Sequence, residues 1–160
     1  MKFIGYQCSL CKKEYLPDQV TYTCPEDGGN LDVVLDYSAI NKSNAREQIL
    51  KNPEISLWRY LPLLPVSDPG NQETPLRAAG GTPVFSPALL SQSLGMKNLW
   101  IKDESRNPTA SFKDRASAVV VARAREINAD VVVTASTGNA GAALAGMSAA
   151  IGQKAVIFAP

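Results

Sequence analysis

Asn107-Pro108-Thr109-Ala110-Ser111-Phe112-Lys113-Asp114-Arg115 puts a lysine where local electrostatics disfavour one. Pro108 ends an extended segment, Leu99 to Lys102, and its charged tail. Ser111 has the side chain of a helix N-cap, and Asp114 stands three positions later as a short capping-box acid. Lys113 is then expected in the first turn of the following helix, near the positive end of the macrodipole. A lysine there that is also shielded from water is a usable amine nucleophile, able to form a Schiff base with a carbonyl cofactor. The other reading is a solvated surface lysine that follows a cap.

The alternation around this stretch predicts an α/β domain. Ser86-Pro87 starts a helix lined by Leu89, Leu90 and Leu94 and closed by Gly95, and Asn98 to Lys102 is a strand. Beyond Lys113, Ala116, Val120, Ala124 and Ile127 recur at helical spacing. Val131 to Ala135 is an apolar, β-branched run of the kind found in a strand buried on both faces. Ser136-Thr137-Gly138-Asn139 is a loop, Ala140 to Ile151 a helix of small residues ended by Gly152, and Ala155 to Phe158 a strand. This order implies parallel strands joined by crossovers. The 136–139 loop then links the carboxyl end of a strand to a helix N-terminus, and taken alone it reads either as an anion site, without the lysine and spacing of a Walker loop, or as an ordinary strand-to-helix turn. Parallel topology should bring this loop and Lys113 to the same sheet edge.

Cys8-Ser9-Leu10-Cys11 and Cys24-Pro25-Glu26-Asp27, followed by Gly28-Gly29, have the outline of a zinc ribbon with an aspartate as fourth ligand. Two readings stay open, a Cys3Asp zinc site or a knuckle without metal packed by Tyr6, Tyr15, Tyr22 and Leu31. Its role is structural in either case, because a closed tetrahedral site leaves no position for a substrate. Between the knuckle and the α/β part, Asn44 and Glu47 cap a helix to Lys51 that Asn52-Pro53 stops. Leu57, Trp58, Tyr60 and Leu61 form an apolar anchor, and Pro62, Pro65, Pro69 and Pro75 an extended connector. Gly80-Gly81-Thr82-Pro83 turns into a short strand at Val84-Phe85. The boundaries expected are 1–35 for the arm, 36–80 for the connector and 81–160 for the α/β domain.

Composition narrows the class. The chain has 160 residues, 45% hydrophobic and 19% charged, with a net charge of +1, as in soluble globular proteins. No basic block suggests nucleic acid, no apolar run is long enough for a membrane span, and no secretory signal follows Met1, so a cytoplasmic protein is expected. The absence of histidine removes mechanisms that need an imidazole base.

At these residues the chain resembles the pyridoxal-phosphate enzymes of the tryptophan synthase β-subunit fold, and within them the threonine synthases. Asn107 to Arg115 is similar to the cofactor-lysine motif and Ser136 to Asn139 to the substrate and cofactor loop. Lys102-Asp103-Glu104, Gly81-Thr82-Pro83, the cysteine knuckle and Leu57-Trp58-Arg59-Tyr60 also look like landmarks. The pattern departs at Ala110 and Ala116, where glycine is common, and at Asp27. The resemblance implies pyridoxal 5'-phosphate held by Lys113, with Phe112 packed on its ring and Asn139 bonded to its phenolic oxygen. It also implies a small amino-acid substrate whose carboxylate is bound by Ser136, Thr137, Gly138 and Asn139. The implied reaction converts O-phosphohomoserine and water to threonine and phosphate, with a threonine or serine dehydratase, a cysteate synthase, or a non-catalytic anion-binding module as alternatives. The glycine-rich phosphate loop of such enzymes lies further along the chain than Pro160. The expectation is therefore an incomplete parallel sheet, an N-terminal part completed by the rest of a longer chain or by self-association into a homo-oligomer.

Overall fold

A computed structural model describes residues 3–70 and 72–159. The chain divides into two compact units, Met1–Pro53 with Arg59–Asp68, and Glu54–Trp58 with Pro69–Pro160.

The first unit is built on an antiparallel sheet, β2 (Glu14–Tyr15), β1 (Phe3–Cys8) and β3 (Leu31–Leu35), in the order β2-β1-β3. Its small core is Cys8, Tyr15, Val20 and Cys24, with Tyr6 and Leu31 packed against it, whereas Tyr22 is exposed. Gly5 is fixed by close approach, since a Cβ there would fall 2.1 Å from the Tyr15 carbonyl oxygen. Helix α1 (Tyr37–Lys42) follows, capped by Asp36, whose carboxylate accepts from the Ala39 N–H at 2.9 Å. Helix α2 (Ala45–Lys51) has the expected extent but not the expected cap. Asn44 is left-handed, with φ 54°, and its side chain makes no cap hydrogen bond.

In the second unit, Leu57 and Trp58 are buried, and the Trp58 Nε1–H donates to the Leu76 carbonyl at 2.9 Å. The proline-rich stretch is not an extended connector throughout. Leu57–Leu63 is a 3-10 turn with Pro62 inside it, and Pro75 opens the short helix α3 (Pro75–Ala78), where its fixed φ and missing N–H cost nothing. Strand β4 (Val84–Phe85) pairs antiparallel with β5 (Ile101–Lys102). The strand expected from Asn98 is thus two residues long, and it belongs to a separate ribbon. Helix α4 (Ala88–Ser93) lies between them with Pro87 at its N-cap and Gly95, at φ 65°, after its end. Leu89, Leu90 and Leu94 are all exposed rather than lining a core.

Helix α5 (Lys113–Glu126), strand β6 (Val131–Ala135), helix α6 (Asn139–Ala149) and strand β7 (Lys154–Phe158) form the α/β core. β6 and β7 are parallel, with Val131 opposite Lys154 and Ala135 opposite Phe158. The parallel sheet among the described residues therefore has two strands, not three, because β5 pairs with β4. The buried stripe of α5 is Asp114, Ser117, Ala118, Val121, Ala122 and Ala124. Of the four positions expected from spacing only Ala124 is buried, since the helix rotates to bring Asp114 and Ser117 inward. Strand β6 is covered on one face, with Val132 buried while Val131 and Val133 are 42% and 57% exposed. The α6 helix packs on β6 and β7, and no described element covers their other face.

Candidate functional site

Lys113 is the first residue of α5, in the first turn as expected, but the N-cap is Phe112 rather than Ser111. The Ser111 hydroxyl accepts the Lys113 backbone N–H at 2.9 Å, which satisfies a first-turn donor. The capping-box half differs. Asp114 is fully buried and turns to Thr109, whose N–H donates to Oδ2 at 2.6 Å and whose hydroxyl donates to Oδ1. That pair closes a tight loop in which Ala110 takes φ 57°, a conformation that costs a residue with a Cβ about 1–2 kcal/mol. This is the position where the motif commonly has glycine. Lys113 itself and Phe112 are exposed, so shielding of the lysine is not supplied by the described residues.

The second half sits at the start of α6. Gly138 is the N-cap and Asn139 the first helical residue, and the Gly138 N–H donates to the Ser136 hydroxyl at 3.2 Å. Thr137, Gly138 and Asn139 are exposed and Ser136 half-buried. Gly141 permits this geometry, because a Cβ there would lie 2.9 Å from the Ser136 carbonyl oxygen and 3.0 Å from Ile157. Helices α5 and α6 pack directly on each other, and Gly146 in α6 gives room to Thr109, which a Cβ would approach to 2.6 Å. The lysine loop is therefore seated on the helix that Asn139 begins. The exposed amine and aromatic side chain at the head of α5, and the helix N-terminus with polar side chains at the head of α6, are groups of the kind an aldehyde cofactor and an anionic substrate group require.

Sequence reasoning missed a polar clasp behind the lysine turn. Arg115 and Glu104 form a two-bond ion pair, Nε to Oε2 and Nη2 to Oε1, each at 2.8 Å. Arg115 Nη2 also donates to the Gly80 carbonyl at 2.7 Å and to the Thr82 hydroxyl at 3.2 Å. Glu104 accepts from the Thr82 hydroxyl at 2.9 Å and from the Asn107 amide at 2.8 Å, and Asn107 Oδ1 accepts the Gly80 N–H at 2.9 Å. The Arg115 guanidinium, joined by these donors, holds the Glu104 carboxyl down at about 2. The signal was present as Asn107 and Arg115 at the two ends of the motif and Thr82 and Glu104 before it, but no local periodicity pairs positions 80, 104 and 115.

In the first unit Cys8, Cys11, Cys24 and Asp27 converge, with their ligand atoms all within 4.8 Å of one another. Cys11 and Cys24 Sγ are 3.7 Å apart, and Cys8 Sγ lies 3.3 and 3.5 Å from the Asp27 oxygens. Zinc–sulfur bonds of about 2.3 Å and a zinc–oxygen bond of about 2.1 Å in a tetrahedron demand edges of about 3.8 Å and 3.6 Å, so the cluster fits that ion. A Cβ at Gly29 would fall 2.8 Å from Cys8 Sγ, so glycine lets the chain close over the ligands. The Gly29 N–H, donating at 2.8 Å, holds the Asp27 carboxyl at about 2. The Lys13 N–H favours the Cys11 thiolate, but desolvation and the neighbouring Asp27, Cys8 and Cys24 outweigh it and push the thiol up to about 12. Four acidic donors this close need a cation between them to ionise together.

The family model for pyridoxal-phosphate-dependent enzymes matches residues 76–160. The threonine synthase of Methanocaldococcus jannaschii is 44% identical over 154 residues, covering 96% of this chain and 37% of that protein. That of Methanosarcina acetivorans is 41% identical, covering 96% and 36%. The cysteate synthase of Methanocella paludicola is 32% identical over 162 residues, covering 96% and 34%. The chain thus spans a little over a third of the length of the curated relatives it matches. Among the described residues no helix is long and apolar enough to cross a membrane.

Proposed function

Because this chain belongs to the pyridoxal-phosphate-dependent enzymes, we propose that it is the cofactor-anchoring part of a threonine synthase, which converts O-phosphohomoserine and water to threonine and phosphate. The observation that carries the reading is Lys113 at the head of α5, exposed beside Phe112 and seated through Thr109 on the helix that begins at Asn139. When bound, the cofactor supplies an electron sink for chemistry at the substrate carbons. Lys113 is the residue that would hold the cofactor by its aldehyde group, and its amine would move protons at the substrate carbons. Phe112 offers its ring face to the cofactor ring. Asn139 would donate a hydrogen bond to the cofactor's phenolic oxygen, and Ser136, Thr137 and Gly138 would bind the substrate carboxylate through hydroxyl and backbone N–H groups. The reading includes 1–35 as an arm, 36–80 as a connector and 81–160 as the first part of the catalytic domain, completed by the rest of the polypeptide. Cys8, Cys11, Cys24 and Asp27 would hold a structural zinc ion in a closed site that leaves no position for a substrate.

A cysteate synthase is the second reading, favoured by the 32% identity to such an enzyme over nearly the whole chain. The test is the amino acid formed by the full-length protein with pyridoxal phosphate, given O-phosphohomoserine in one reaction and O-phosphoserine with sulfite in another. Threonine and equimolar phosphate from O-phosphohomoserine are expected; cysteate formation, with no threonine, would overturn the assignment.

A further inference from the structure

Three side chains tie down the turn that presents Lys113, and each pulls on a different partner. Ser111 holds the Lys113 N–H from below, Asp114 grips Thr109 on the buried side, and Arg115 reaches Glu104, Thr82 and Gly80. In an α-helix, residue 115 lies about 200° around from residue 113. Arg115 therefore holds the opposite side of the turn whose other side carries the exposed amine. Its partners come from two separate segments, the 80–82 loop and the 104–107 turn, and Asn107 joins these two to each other through the Gly80 N–H. Gly80 is fixed in this arrangement, at φ 109°, where a Cβ would lie 2.6 Å from the Leu57 nitrogen and 2.9 Å from Arg115 Nη1.

We infer that Glu104 and Arg115, with Thr82 as the shared hydroxyl between them, are positioning residues for Lys113, setting the direction in which its amine meets the cofactor aldehyde. The inference rests on the reading of Lys113 as the cofactor lysine. The two-bond geometry has a consequence. A planar guanidinium with a fixed fork defines the rotation of the helix start, whereas a single ammonium contact leaves it free to turn. Lysine in place of Arg115 keeps the charge and loses the direction.

The test separates aim from binding. The full-length protein and its variants R115K, E104Q and K113A are titrated with pyridoxal 5'-phosphate, which has the aldehyde, and with pyridoxine 5'-phosphate, which has an alcohol there and cannot bond to an amine. In R115K and E104Q, affinity for the aldehyde ligand should fall between about tenfold and a hundredfold, the scale expected of a displaced reacting group, while affinity for the alcohol stays within about twofold. Equal weakening of both ligands, or of neither, would overturn the positioning role. K113A should lose all preference for the aldehyde; if it keeps that preference, the parent reading fails instead. Where the ion-pair variants do not fold, T82V decides, since it removes one hydroxyl and leaves the ion pair. A smaller selective loss for the aldehyde ligand is expected from it, and unchanged or equally weakened binding of both ligands would refute the inference.

Discussion

The cysteine knuckle and the lysine site differ in how much of themselves they contain. In the knuckle, four candidate ligands from residues 8 to 27 meet within 4.8 Å of one another, with two of them buried and two of their separations, 3.7 and 3.3 Å, near the edges of a tetrahedral zinc site. At the lysine site, Lys113, Phe112, Thr137, Gly138 and Asn139 are all exposed. A closed site stabilises structure and admits nothing further, whereas a site that must accept a cofactor and a substrate keeps its reactive groups uncovered and puts rigidity behind them. Here that rigidity is the Arg115 clasp and the Asp114–Thr109 pair.

The sharpest way to break this comparison is Cys24→Ser. Structural zinc contributes on the order of 10 kcal/mol to small metal-dependent folds, so metal analysis should fall from about one equivalent per chain to none. The β-sheet signal of the arm should fall with it, while the visible absorbance of a lysine-bound cofactor stays. Loss of both signals together would mean that the two sites are not independent.

Acid should weaken the clasp. The Glu104 carboxyl is lowered from 4.5 to about 2. Its contribution is therefore complete above about pH 4.5 and is lost as pH falls from there toward 2, amounting to roughly 2–3 kcal/mol. Denaturation midpoints followed across that window should drop in the parent protein and change less in Glu104→Gln. The same slope in both would remove Glu104 from the account.

Ala110→Gly is the mildest change. It relieves a positive φ at 57° but adds unfolded-state entropy, for a net gain of about 0.5–1 kcal/mol by thermal melting. A loss of stability there would show that the alanine methyl makes a contact worth more than the strain.

Much of this was legible in the sequence for local reasons. The knuckle is encoded by two short ligand pairs, and Ser111 before Lys113 announces a helix start that the structure places within a residue. Strands β6 and β7 follow from β-branched runs and from Gly152, whose φ of 68° ends the intervening helix region. What was not legible is non-local. The pairing of β5 with β4 depends on a partner 18 residues away, Val84 opposite Lys102, at the two ends of a hairpin-like connection. The rotation of α5 depends on where Asp114 finds Thr109, since a buried carboxylate with its own donors outweighs the apolar spacing of Ala116, Val120 and Ile127. The clasp joins positions 80, 82, 104, 107 and 115, and no sequence period connects them.

The central claim is that Lys113 is the amine that holds the cofactor. Borohydride reduction of the full-length protein loaded with pyridoxal phosphate, followed by peptide mapping, tests it most directly. The account predicts a pyridoxyl label on Lys113 and none in Lys113→Ala. A label on Lys97 or Lys102 instead would contradict it.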